Sequence, residues 1–191
     1  MKSILLLATL IFGLASLQAQ FAFEASAEHP FGLPNPEAPE QIKDYAPLIG
    51  ECDCSSVRRK PDQSWNEPKK MLWRFKYILN GMAVQDDALH EGGTHGGSIR
   101  QFIADSTRWY VHYYSTNFPS TTLPAWEGNR NDSTMVLYKE QNAPNGMEGF
   151  YRITFSEMTE DGFKWSGDWV NPDESIVYPT WKIECIKRKE E

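Results

Sequence analysis

The chain has 191 residues, a formal net charge of −7 and 13% aromatic residues, seven of them Trp. This length suits one domain with a sizeable core. The acidic balance argues against a nucleic-acid partner, which would select a basic face, and against binding to an anionic membrane surface. The many rings predict a core or a pocket that is built from aromatic side chains.

The first residues have the pattern of a signal peptide. Lys2 gives a positive start, an apolar run extends from Ile4 to Leu14, and small residues suited to cleavage follow up to Ala19. The run is shorter than the roughly 20 residues that cross a bilayer, and no Cys follows it for lipid attachment. We therefore expect residues 1–19 to be a bacterial signal peptide, with an uncleaved anchor as the alternative. The mature protein is expected to be periplasmic or secreted and to lack a transmembrane anchor.

Residues 20–44 are expected to be a flexible leader that contains a short helix. The leader is rich in Ala, Pro and Glu, a composition that favours loose order. Residues 39–45 fit a short helix that stops before Pro47. The main domain then occupies residues 45–188.

Nine segments carry strand signals, and one of them alternates very clearly. In Lys69–Leu79, apolar residues occupy one face while Arg74 and Lys76 occupy the other, and Asn80-Gly81 follows as a strong hairpin signal. The region Asn117–Asp132 is predicted as the longest loop, a kind of loop that is often functional. The nine predicted strands are Glu51–Arg59, Lys69–Leu79, Met82–His90, Ile99–Ala104, Arg108–Ser115, Thr134–Glu140, Glu148–Glu157, Phe163–Val170 and Tyr178–Lys187. This spacing predicts an all-β fold, a single antiparallel β-barrel of about 8–10 strands, with a sandwich as the alternative.

Four stretches with a particular order and spacing cover roughly residues 45–188. They are Leu48-Ile49-Gly50-Glu51, Trp73-Arg74-Phe75 running to Leu79-Asn80-Gly81, Asp105-Ser106-Thr107-Arg108-Trp109, and Trp181-Lys182-Ile183. With them the chain resembles an uncharacterised family of secreted bacterial proteins in the lipocalin-like, or calycin-type, group. The resemblance implies a closed barrel with one capped end and a cup-shaped interior, and it implies no particular activity.

Two departures from this group bear on the ligand. The lipocalins proper carry Gly-x-Trp on the first strand, whereas this chain has Gly50-Glu51-Cys52. The haem-binding barrels of the group ligate iron through a His near the C-terminus, whereas the last His here is His112. We therefore expect no haem site of that kind and no cofactor.

Three cysteines lie beyond the predicted signal peptide, namely Cys52, Cys54 and Cys185. In an oxidising compartment two of them are expected to form a disulfide bond. Because Cys52 and Cys54 lie two apart on one strand, their geometry for bridging each other is poor. A bond from Cys185 to one of them is favoured, and three buried reduced thiols are the alternative.

The inward-facing aromatic residues are the candidate ligand-binding residues. Barrels of about eight strands are either just filled by side chains or hold one small ligand, and both outcomes remain open. His112 faces inward if Tyr110 and Tyr114 do, and outward if Trp109 and Val111 face inward instead. The predicted ligand-binding set is Trp73, Phe75, Tyr77, Trp109, His112, Tyr114, Trp165 and Trp181.

Other polar groups give weaker signals. His90 and His95 lie five apart in a Gly-rich loop, which does not fit the i, i+4 spacing of a helical zinc motif, and no metal site is expected. Alternation places Arg74 and Arg152 on the outer wall and leaves Arg100 open as an interior cation for a carboxylate.

The sequence favours a secreted or periplasmic protein that binds a small hydrophobic or amphipathic ligand. Loops at Gly92–Gly97 and Asn117–Asp132 would border the mouth of its barrel. One alternative is an enzyme that uses the same cup with His112 as the acid/base group, its other catalytic residues being unknown. A second alternative is an envelope interaction module with a solid core, whose exposed Trp126 contacts another protein. The sequence predicts neither the ligand nor the oligomeric state.

Overall fold

The computed structural model describes residues 21–189, and the predicted signal peptide lies outside this range. The described residues form ten strands and one short 3-10 helix, Glu40–Leu48, which we call the plug helix. The strands are β1 (Gly50–Arg58), β2 (Lys69–Ile78), β3 (Ala83–His90), β4 (His95–Ile103), β5 (Arg108–Ser115), β6 (Ala125–Asn131), β7 (Thr134–Glu140), β8 (Phe150–Ser156), β9 (Gly162–Val170) and β10 (Val177–Lys187). The sequence predicts a short helix at this position, but the observed helix runs through Pro47 to Leu48 and does not stop before that proline. No helix within residues 21–189 is long and apolar enough to cross a membrane.

The ten strands form one closed antiparallel barrel. Each strand pairs with the next along the chain, and β10 returns to pair with β1. Closure satisfies the backbone groups of both terminal strands and leaves no free sheet edge. The predicted fold class, an all-β antiparallel barrel, is confirmed.

One strand lies inside the segment that the sequence predicts as a long loop. β6 contains Glu127, Gly128 and Asn129, residue types that are depleted in strands, so its propensity is weak. It forms nevertheless because β5 and β7 both pair with it. Tertiary pairing thus overrides the local signal. β4 similarly begins at His95, inside the predicted Gly-rich loop.

The plug helix closes one end of the barrel. Its Ile42, Tyr45 and Leu48 are buried, and the Tyr45 ring meets the Trp109 ring edge-on with 4.8 Å between centroids. The Trp109 indole N–H donates a hydrogen bond of 3.0 Å to the Asp44 carboxylate. These contacts hold the helix under the barrel and leave the opposite end for the loops that follow β1, β3, β5, β7 and β9.

The leader passes along the turn between β2 and β3. Two leader residues form hydrogen bonds with Asn80 in this turn. The Phe23 backbone N–H donates to the Asn80 side chain, and the Asn35 side-chain amide donates to the Asn80 backbone carbonyl. The Asn35 backbone N–H also donates to the Gly81 carbonyl at 3.1 Å. Where the sequence predicts a flexible leader, the structure therefore shows specific hydrogen bonds to the closed end.

A disulfide bond joins the first and last strands. Cys54 on β1 lies opposite Cys185 on β10, and the two residues are bonded across a sequence separation of 131. The bond confirms the predicted pairing of Cys185 with one of the two N-terminal cysteines. Cys52 remains a free, buried thiol, and burial raises its pKa to about 11.

Candidate ligand-binding cavity

The barrel is hollow towards the end opposite the plug helix. A cavity of about 340 Å³ lies there, within the size range of small-molecule sites. Its apolar wall comes from residues on eight strands: Met71, Trp73, Ala88, Val111, Tyr113, Trp126, Leu137, Tyr151, Ile153, Phe155, Trp165, Trp181 and Ile183. Phe118 reaches this cavity from the loop between β5 and β6 and is 74% exposed.

Trp181, Trp126 and Tyr151 present apolar ring surfaces to the cavity because their polar atoms are bound to other groups of the barrel. The Trp181 N–H donates to the Ser56 hydroxyl at 2.8 Å, and the Trp126 N–H donates to the Tyr151 carbonyl at 3.2 Å. The Tyr151 hydroxyl pairs with that of Thr180 at 3.0 Å. A ligand in the cavity therefore meets ring surfaces without having to satisfy these polar atoms.

A buried ion pair forms the floor of the cavity, at the end nearer the plug helix. Asp86 on β3 accepts hydrogen bonds from the Arg100 guanidinium, the Ser98 hydroxyl and the Trp73 indole N–H. Arg100 is only 3% exposed, and its guanidinium carbon lies 5.1 Å from the ring centroids of both Tyr45 and Phe75. Because Asp86 neutralises Arg100, this floor presents a paired rather than a free charge.

Two further cations line the upper part of the cavity. The Arg58 guanidinium carbon lies 3.7 Å from the centroid of the Trp181 ring, and the Lys139 ammonium lies 5.0 Å from the centroid of the Trp126 ring. Both are cation–π arrangements. Within residues 21–189, no carboxylate lies within ion-pair distance of either cation.

His90 lies beside these groups and is biased towards its neutral form. Its ring centroid is 6.1 Å from that of Trp181. Burial, and secondarily the positive charge of Arg58, lower the pKa of His90 below its ordinary value. Burial likewise raises the pKa of the Tyr151 phenol, so the neutral form of both side chains predominates at neutral pH.

The predicted ligand-binding residues fall into three groups in the structure. Trp73, Trp165 and Trp181 line the cavity as predicted. Phe75, Tyr77 and Trp109 also face inward, but they are buried in the packed core towards the plug helix. His112 and Tyr114 face the outer wall, so the structure corrects the prediction for these two residues.

Strand alternation is the reason for this correction. On β5, Trp109 and Val111 are buried inside the barrel, so His112 and Tyr114 must point outward. The Tyr114 hydroxyl accepts a hydrogen bond from the Gln85 amide at 2.8 Å on that outer face. An enzyme that uses His112 inside the cup, which the sequence leaves open, is contradicted by this orientation.

Trp126 also differs from the expectation of the interaction-module alternative. That alternative requires an exposed Trp126 in an apolar surface patch. The ring is instead half-buried, and it meets Tyr113 and Tyr151 edge-on with centroid distances of 6.4 and 6.3 Å. Trp126 is part of the cavity wall.

Sequence reasoning missed several of the polar residues of the cavity. Arg58 shares its face of β1 with Cys52, Cys54 and Ser56, and Lys139 shares its face of β7 with Met135 and Leu137. This alternation would have predicted that both cations face the interior. The prediction was not made because charged residues at strand ends are ordinarily solvated. Arg100, left open by the sequence, is the buried interior cation. Arg74 and Arg152 lie on the outer wall as predicted, in ion pairs with Glu51 and with Asp168 and Glu174.

A larger groove of about 1100 Å³ crosses the outer wall over β3, β2, β1, β10 and β9. Its lining includes both signs of charge, among them Lys70, Glu91, Lys164 and Glu184, and all four of these side chains are exposed. Such a surface is typical of a solvated wall. Across residues 21–189, no cluster of three or more His, Cys, Asp or Glu side chains has the arrangement of a metal site.

Comparison with known proteins supports the fold alone. No family model matches the chain, and no curated protein matches it. The barrel is similar to the crystal structure of Rv2717c from M. tuberculosis, with a TM-score of 0.53 and 9% sequence identity, over 80% of this chain and 100% of that one. At this identity, the likeness establishes a shared barrel architecture.

Proposed function

We propose that the protein binds a small, largely apolar ligand inside the barrel and acts as a secreted or periplasmic binding protein of lipocalin-like type. The observation that carries the proposal is the cavity of about 340 Å³, which opens away from the plug helix and has an aromatic wall. A filled barrel would lack such a space, whereas ligand sites are concave, mostly apolar and equipped with a few polar groups.

The driving force is the burial of apolar ligand surface, roughly 25 cal/mol for each Å² removed from water. Trp73, Trp165 and Trp181 offer ring surfaces, and their rigid side chains lose little conformational entropy on binding. Secretion rests on the signal-peptide pattern, and cell fractionation of the tagged full-length chain tests it.

A neutral apolar dye tests the proposal directly. N-phenyl-1-naphthylamine should bind the mature protein with a saturable rise in fluorescence and a stoichiometry of one. Ala88 faces the cavity and is 8% exposed, so Ala88→Phe places a ring in the ligand space. We expect this variant to weaken dye binding by at least about tenfold.

A matched variant separates cavity filling from general damage. Ala125 lies opposite His112 in the register of β5 and β6 and faces the outer wall, so Ala125→Phe adds the same volume outside the barrel. It should keep the dye affinity of the unmodified protein, and circular dichroism establishes that both variants fold. Equal dye binding by the two variants, or no saturable binding by the unmodified protein, would overturn the proposal.

A further inference from the structure

The upper part of the cavity carries a net positive charge. Three cations and one carboxylate line the whole cavity, so with His90 neutral its formal charge is +2, in a chain of formal charge −7. At the floor of the cavity, Asp86 forms an ion pair with Arg100, and the two charges cancel. The two charges that are left belong to Arg58 and Lys139, near the opening.

Both of these cations are fixed without an acidic partner. Arg58 rests on Trp181 and Lys139 rests on Trp126, and these two rings belong to the cavity wall. Five other surface cations each form an ion pair with a carboxylate, namely Arg74, Arg108, Arg152, Lys164 and Arg188. Arg59 and Lys182 also rest on aromatic rings without a carboxylate partner, but they lie outside the cavity. Arg58 and Lys139 thus keep their hydrogen-bond donors available beside an apolar space.

Tyr151 connects the two positions. It lies opposite Lys139 in the register of β7 and β8, and it is close enough to Arg58 for that charge to act on its phenol. A ligand with its body between the Trp rings therefore places its outer end between two cations. An alkyl or aryl body without a charge leaves these cations unpaired, whereas a carboxylate pairs with them and gains charge-assisted hydrogen bonds.

We infer that the ligand is a carboxylate-bearing amphiphile whose apolar body lies against Trp73, Trp165 and Trp181 and whose anionic head is held by Arg58 and Lys139. The inference rests on the proposed function and names its ligand class. The Asp86–Arg100 pair at the floor carries no free charge and leaves the deep end to the apolar body.

Competition against the neutral dye measures the head-group preference. Decanoate, 1-decanol and decylammonium have the same body and differ in charge. At low ionic strength, decanoate should displace N-phenyl-1-naphthylamine at about a tenfold lower concentration than 1-decanol, and decylammonium should be the weakest. The preference should shrink at 1 M salt, where the screening length falls to about 3 Å.

Variants then assign the preference to the two cations. The double variant Arg58→Gln/Lys139→Gln should bind decanoate no better than 1-decanol, while Arg58→Lys, which keeps the charge, retains the preference. Lys182→Gln is the matched control, because the Lys182 ammonium lies 4.8 Å from the Trp65 ring, outside the cavity. Lys182→Gln should leave the preference unchanged.

The outcomes separate the inference from the proposed function. Equal displacement by decanoate and 1-decanol, with normal dye binding, would overturn the carboxylate inference and leave the proposed function in place. A preference that survives the double variant would overturn the assignment to Arg58 and Lys139. Absence of dye binding would overturn the proposed function and the inference together.

Discussion

The two ends of this barrel are built from similar residues and differ in how completely they are filled. At the closed end, Tyr45 enters beneath the strands and packs against Trp109 and Phe155. At the open end, the rings of Trp126 and Trp181 meet those of Tyr113, Tyr151 and Trp165, and a cavity of about 340 Å³ remains. The plug helix therefore decides which rings are core and which line a site.

The two ends of the barrel also differ in how their cations are placed. Arg100 near the closed end is buried and paired with Asp86, whereas Arg58 near the open end is exposed and rests on an aromatic ring. A buried charge without a partner is very costly, but a solvated one is not. The buried charge of Arg100 near the closed end thus stabilises the fold, whereas the exposed charge of Arg58 near the open end is available to a ligand. The predictions below test this division.

The largest effect is expected from breaking the buried ion pair. Arg100→Leu leaves Asp86 buried without its main partner, so we expect a loss of about 3–5 kcal/mol in the free energy of unfolding, measured by urea denaturation. Arg108→Gln, which breaks an exposed pair with Glu127, should cost less than about 1 kcal/mol. Similar losses for the two variants would contradict the role given to the closed end.

Loss of the disulfide bond should lower the free energy of unfolding by a similar amount, although it acts on the unfolded chain rather than on a buried charge. The Cys54–Cys185 bond closes a long loop, so Cys185→Ser should cost on the order of 4 kcal/mol by releasing the unfolded chain. Cys52→Ser, a control at the free cysteine, should cost less because it changes only one buried atom. Urea denaturation under non-reducing conditions compares them, and an equal loss for both would argue against the bond.

A smaller effect is expected from pH at the open end. The folded-state pKa of His90 is lowered, so between that value and its ordinary value of 6.5 the unfolded chain binds more protons. The contribution of His90 to stability is therefore fully present above about pH 6.5 and is lost as the pH falls. His90→Gln should unfold with a weaker pH dependence between pH 7 and 5, measured by thermal denaturation. An unchanged pH dependence in the variant would contradict the assignment to His90.

The smallest effect is expected on the outer wall. His112→Ala should change the free energy of unfolding by about 0.5 kcal/mol or less and should leave dye binding unchanged. Trp181→Ala, which removes a ring of the cavity wall, is the contrasting variant and should weaken dye binding severalfold. Equal effects of the two variants on the fluorescence titration would mean that the dye binds elsewhere.

The barrel itself was largely predictable, because alternation on β2 and the hairpin signal at Asn80-Gly81 follow from local chemistry. β6 was not predictable, because Glu127, Gly128 and Asn129 form a strand only when neighbouring strands bind them. His112 shows a further limit: a strand that is apolar on both faces does not reveal which face is inside. Trp73, Trp165 and Trp181 were predictable from parity, whereas the separation of cavity from packed core depends on where Tyr45 enters the barrel.

The central claim is that the open end holds a ligand, and native mass spectrometry tests it most directly. The mature protein would be purified from a bacterial periplasm and measured under native and denaturing conditions, beside Ala88→Phe. The account predicts extra mass on the unmodified protein that disappears on denaturation and is absent from the variant. A bare mass for the unmodified protein, repeated after exposure to a lipid extract and to decanoate, would contradict it.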